Sequence, residues 1–128
     1  MPDRHRPLSP HLSVYRWQPH MLVSILHRLT GAALAVGSIG LVWGLVATAS
    51  GQAAYQCFQA ALASPLGRLV LFGFSWALMQ HLASGLRHLY MDTGGGFAPA
   101  VSRCLALATL AFSLAATLLL WSFGYGLL

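Results

Sequence analysis

The sequence predicts an all-α integral membrane protein, a bundle of three transmembrane helices with the N-terminus inside and the C-terminus outside. Three observations lead there. Of the 128 residues, 57% are hydrophobic and only 7% are charged, which is the composition of a membrane chain. No charged side chain falls between Arg28 and Arg68, between Arg68 and Arg87, or after Arg103, and a spanning helix needs about 20 mainly apolar residues. The basic residues are also unevenly placed. Arg4, Arg6 and Arg16 precede the first stretch, Arg87 and Arg103 flank the second loop, and only Arg68 lies near the first loop, so the positive-inside rule puts the N-terminus inside.

Taken in order, residues 1–20 form an N-terminal inner-side segment, rich in arginine and proline. It has no apolar core of the kind a signal peptide needs and reads as retained, and Met1 argues against a cleaved transit peptide. Residues 21–128 form the three-helix transmembrane anchor, with helices over about 21–49, 65–91 and 101–126. Pro65 suits a helix start, the run Asp92-Thr93-Gly94-Gly95-Gly96 stops the second helix, and Pro99 precedes the third. Tyr15 and Trp17 before the first helix, and Trp121 and Tyr125 near the chain end, are placed as interfacial aromatics. Gly37, Gly40 and Gly44 give the first helix a face for close approach, within this chain or against another subunit. Cys57 and Cys104 fall on opposite sides of the membrane in this topology, so they do not pair, and neither has metal-site spacing. The net charge of +5 comes from arginines spread along the chain with no stripe, which excludes nucleic acid as the expected partner and leaves membrane lipid.

Ionisable groups inside such a chain mark candidate sites, because polar side chains in hydrocarbon need partners. The second helix carries His81-Leu82-Ala83-Ser84-Gly85-Leu86-Arg87-His88. At about 100° per residue, His81 and His88 lie nearly on one face with Ser84 and Gly85 between them, leaving room for something flat. A b-type haem takes axial ligands from opposite faces of its iron, so two histidines on one side of one helix cannot both ligate it. The helix offers one ligand, and His81 is the better candidate because it is deeper. Arg87 and His88, nearer the inner boundary, are placed to meet haem propionates. The alternative is a His81 simply hydrogen-bonded to a neighbouring helix.

The first helix carries Ser24-Ile25-Leu26-His27-Arg28-Leu29-Thr30-Gly31 near the same boundary. Ser24 and Arg28, four apart, share a face and can both donate to a small acceptor such as a quinone carbonyl. His27 points about 100° away. The alternative is that Arg28 and His27 snorkel to lipid headgroups. Asp92, at the inner boundary, reads as a helix terminator or an ion-pair partner of Arg87.

At these residues the chain resembles the large cytochrome b anchor subunit of succinate dehydrogenase, respiratory complex II. The resemblance rests on Arg6-Pro7-Leu8-Ser9-Pro10-His11 with Tyr15, on Ser24 to Gly31, and on His81 followed by Gly85, Arg87, His88, Leu89 and Asp92. These motifs, with the three-helix layout, cover nearly the whole chain. Many relatives have Trp immediately before the final Asp, where this chain has Met91.

The resemblance implies that His81 is an axial ligand of one haem b, opposite a histidine of a small membrane-anchor subunit. It implies that Ser24 and Arg28 line a ubiquinone site, and that His27, Arg28 and His88 lie near the haem propionates. It implies a flavoprotein that oxidises succinate and an iron–sulfur subunit that passes electrons to ubiquinone. This chain would hold no dehydrogenase chemistry and would not act alone. A bacterial inner membrane is the expected location, ahead of the mitochondrial inner membrane. Two readings from other classes are a haem-free structural anchor and a small transporter subunit. A transporter is expected to show internal repeats or broken helices, and the sequence shows neither.

Overall fold

The computed structural model describes Val14 and residues 16–124. The Arg6–His11 motif, Tyr15 and Tyr125 lie outside the described residues. Among the described residues four α-helices follow in order: α1 (Pro19–Ala49), α2 (Gln52–Ala63), α3 (Pro65–Asp92) and α4 (Pro99–Gly124). Three of them, α1 with 31 residues, α3 with 28 and α4 with 26, are long and apolar enough to cross a membrane. At about 1.5 Å per residue they run about 39–46 Å, against a hydrocarbon core of about 30 Å. The ends of each therefore reach the interfacial layers.

The three long helices match the stretches expected from the sequence, with two adjustments. Proline opens each one. Pro19 and Pro99 belong to the first turns of α1 and α4, because proline has the helical φ and lacks only an N–H that the first turn leaves unpaired anyway. The second difference is α2, which occupies the loop expected between the first two spans. Its 12 residues are too short to cross, but four of the five residues in the run Gln52-Ala53-Ala54-Tyr55-Gln56 are good helix formers. Ser64 then ends α2 and starts α3: its N–H donates to Ala60 O at 3.2 Å, and its Oγ accepts from Gly67 N at 3.0 Å. Gly67 lies so close to the backbone of Ala61 and Leu62 that no Cβ fits there. α3 ends at Asp92, where Gly94 and Gly96 turn the chain with φ of 87° and 78°.

The packing is inverted relative to a soluble protein. The buried side chains are Val23, Ala47, Ala77 and Ala106 together with Thr30, Gln80, Ser84, Arg87, Thr109, Ser113 and Thr117, while Leu45, Ile39, Leu69, Leu119 and Phe123 are exposed. Hydrocarbon gives large apolar groups no reason to hide, so the interior selects small residues that let helices approach and hydroxyls that bond locally. Thr117 donates to Ser113 O at 2.7 Å and Thr109 to Leu105 O at 2.8 Å. Ser113 in α4 donates to Gln80 Oε1 in α3 at 2.6 Å, and Trp121 meets Phe72 edge-on at 5.3 Å. Gly37 receives the Phe74 ring and Gly44 the Phe58 ring, whereas Gly40 faces open space. Two of the three glycines thus serve packing within this chain. Phe58 also stands edge-on to Trp43 at 4.9 Å, which holds α2 against α1. Cys57 and Cys104 are both free and exposed.

Candidate functional site

α1 and α3 run antiparallel, and the two histidine-bearing runs meet at the end of the bundle where α1 begins. The His27 ring of α1 stacks on the His81 ring of α3, with centroids 4.0 Å apart and planes 9° from parallel. It meets His88 edge-on at 5.1 Å. Gly31 permits this approach, since a Cβ there would stand 3.0 Å from His81 Cε1, whereas one on Gly85 would meet His27 Cε1 at an ordinary 3.9 Å. The space expected between His81 and His88 for a flat group is therefore taken up by His27.

The hydrogen bonds around His81 set the state of its ring. Thr30 is buried, and its hydroxyl donates to Leu26 O at 2.7 Å, with His27 O at 3.1 Å. With its one hydrogen committed, it can only accept from a third group. His81 Nδ1 lies 3.3 Å from Thr30 Oγ1 and 3.1 Å from His27 O. Flanked by a carbonyl and a committed hydroxyl, Nδ1 carries the hydrogen, and in the neutral ring Nε2 keeps the lone pair. On the other helix Ser84 is fully buried, and its Oγ lies 2.7 Å from both Gln80 O and His27 Nδ1. Each helix thus presents a histidine followed three residues later by a hydroxyl, His27 with Thr30 and His81 with Ser84, and each hydroxyl meets the other helix's imidazole. Thr30 and Ser84 were not foreseen in these roles. The signal was the matched His-x-x-Thr and His-x-x-Ser spacing on two helices that must pack together.

These contacts bear on the two alternatives for His81. It is hydrogen-bonded to a neighbouring helix, but only through Nδ1, which leaves the nitrogen that would bind a metal unused. An imidazole held through Nδ1–H to a carbonyl is the usual arrangement of a metal-ligating histidine, so the residues fit an iron ligand. One turn further along, at Ala77 and Ala33, an apolar groove of about 470 Å³ continues between α1 and α3, past Gly37, Gly73 and Phe74.

The remaining candidates separate. Ser24 is half-buried and Arg28 exposed, on the flank of the histidine group. Arg87 is only 8% exposed and lies in the seam with α4, where it donates to Ser102 Oγ at 3.1 Å. It does not join His88, nor does it pair with Asp92, because the 3.6-residue period turns it toward the opposite neighbour. Asp92 instead ends α3.

The chain matches, over residues 2–120, the model of the succinate dehydrogenase/fumarate reductase transmembrane subunit family. It is 46% identical over 92 residues to the succinate dehydrogenase cytochrome b556 subunit of Paracoccus denitrificans, covering 72% of this chain and 71% of that one. Against the Rickettsia prowazekii protein of the same description it is 36% identical over 116 residues, 91% of this chain and 90% of the other. The mitochondrial succinate dehydrogenase cytochrome b560 subunit of Sus scrofa is 37% identical over 94 residues, 72% of this chain and 56% of that protein. With most of its length matched and its three spanning helices in place, the chain belongs to the succinate dehydrogenase/fumarate reductase transmembrane subunit family.

Proposed function

We propose that this chain is the cytochrome b membrane-anchor subunit of a succinate:quinone oxidoreductase, in which His81 Nε2 is one axial ligand of a haem b. The observation that carries the reading is His81 Nδ1 between the His27 carbonyl and the Thr30 hydroxyl, 3.1 and 3.3 Å away. That arrangement fixes the tautomer and leaves Nε2 for iron. By the family resemblance, the second axial ligand is assigned to a histidine of a small membrane-anchor subunit. A bound haem supplies reversible one-electron storage.

The other roles follow from exposure. Arg28 and half-buried Ser24 are open to a partner and present donors for a ubiquinone carbonyl, to be completed by the iron–sulfur subunit. His27, Arg28 and His88 are assigned to the vicinity of the propionates. A guanidinium with five N–H groups can serve both ligands. The succinate chemistry belongs to the flavoprotein, and the electrons reach this chain's quinone site through the iron–sulfur subunit. The location is a bacterial inner membrane, with α1 beginning on the cytoplasmic side and α4 ending on the outer side.

The test is a dithionite-reduced minus oxidised spectrum of the detergent-purified native complex beside the same complex carrying His81→Tyr. A b-type α-band that is lost or shifted in the variant is the expected result. No band in the native complex would instead favour a haem-free anchor or a transporter subunit, and a band indifferent to the substitution would move the ligand elsewhere, with His88 next.

A further inference from the structure

We infer that Thr30 is a positioning residue for the haem: by accepting from His81 Nδ1–H, it fixes the plane and raises the basicity of the axial imidazole, and so lowers the haem midpoint potential. The inference rests on the reading of His81 as the ligand.

Thr30 is 4% exposed, so its partners are those this chain supplies. Its own hydrogen goes to the carbonyls one turn back, Leu26 O at 2.7 Å and His27 O at 3.1 Å. Its Oγ1, left free to accept, lies 3.3 Å from His81 Nδ1. His81 Nδ1–H therefore spans two acceptors, the Thr30 hydroxyl and the His27 carbonyl. One acceptor would fix the tautomer. A pair also limits rotation of the ring about its Cβ–Cγ bond, because turning toward one lengthens the bond to the other. The stacked His27 ring at 4.0 Å closes the remaining direction.

The electronic consequence follows from the same bond. A histidine that donates through Nδ1 gains imidazolate character, becomes a stronger σ donor through Nε2 and favours the more highly charged ferric iron. Thr30→Val keeps the branched shape and removes one acceptor. The His27 carbonyl remains, so the ligand stays in place but is held less firmly and donates less. Thr30→Ser restores the acceptor.

The experiment compares native complexes carrying T30V, T30S and, as reference, H81Y. Three quantities are read: the reduced-minus-oxidised α-band, the haem midpoint potential from an optical redox titration, and the g-anisotropy of the ferric haem. With T30V the potential is expected to rise, the g-values to shift as the imidazole plane turns, and haem affinity to fall about tenfold, the lower end of outer-shell effects. T30S should return all three to native values. A T30V complex that assembles without haem, while T30S retains it, supports the same assignment. A T30V complex with native potential and g-values, beside an H81Y complex that has lost the band, would overturn the role of Thr30 and leave the ligand reading intact. An H81Y complex that keeps the native band would overturn both.

Discussion

At the residue scale, the histidine group depends on the absence of side chains as much as on their presence. Gly31 stands where α1 passes the edge of the His81 ring, and a Cβ added there would lie 3.0 Å from His81 Cε1. That is closer than carbon atoms settle without movement, so one partner must shift by a few tenths of an ångström. The ring is the softer of the two, but it is tethered at Nδ1 by the His27 carbonyl and the Thr30 hydroxyl. Gly31→Ala is therefore expected to move the imidazole rather than unfold α1, since alanine is the better helix former by about 1 kcal/mol. The predicted outcome is a complex that assembles in normal yield with a shifted or weakened b-type α-band; Gly31→Val, which adds bulk and β-branching, should lose most of it. Normal spectra in both variants would show that the approach of α1 to His81 is unimportant for the haem. Gly85 gives the contrast, because a Cβ there meets His27 Cε1 at 3.9 Å, an ordinary contact, and Gly85→Ala should be tolerated.

At the element scale, α3 is the helix on which the others are organised, and its two sides are tied differently. Toward α1 it is held by the reciprocal imidazole–hydroxyl pairs; toward α4 it is held by Ser113 on Gln80 and by Arg87 on Ser102. Gln80 is fully buried and its Nε2 has no partner, as is also true of Arg87 Nε. A buried donor left unpaired costs about 1–3 kcal/mol, while removing both members of a pair can be near neutral. Ser113→Ala should then destabilise the bundle by leaving the whole Gln80 amide unpaired, and adding Gln80→Leu should recover part of the loss. The coupling in a double-mutant cycle is expected near about 0.6 kcal/mol, the average for interhelical bonds in membranes, read as the shift in thermal denaturation of the detergent-solubilised complex. Additive effects of the two substitutions would mean that the 2.6 Å contact contributes nothing. The same two-sidedness explains what the sequence made legible. Helical period placed His81, Ser84 and His88 together on α3, and that held. It could not say which neighbour each face meets, so Arg87, adjacent to His88 in sequence, was expected among the histidines and lies instead against α4. The short helix α2 was missed for a different reason, since length and hydropathy identify spans and are silent about helices that do not cross.

At the scale of the whole molecule, the distribution of polarity decides how the chain tolerates change. Ile39 is 70% exposed and lies in the middle third of α1, while Thr117 in α4 is fully buried. In a soluble protein the first would accept a carboxylate and the second would be the sensitive site. Here the solvent is hydrocarbon, and a charged residue at a helix centre costs about 2.5–3.5 kcal/mol on insertion scales. Thr117, by contrast, spends its hydroxyl on Ser113 O within its own helix at 2.7 Å, so its place inside reflects size more than polarity. Ile39→Asp is accordingly expected to reduce the membrane-integrated fraction several-fold, whereas Thr117→Val should leave it within about 1 kcal/mol of native, given how little such bonds contribute in membranes. The measurement is the carbonate-resistant fraction of each variant expressed with its partner subunits. Equal tolerance of the two would mean that the face bearing Ile39 looks onto water or a polar partner rather than lipid. A reversed order would mean that the hydroxyls of the α3–α4 seam, not the size of the residues that carry them, hold the bundle together.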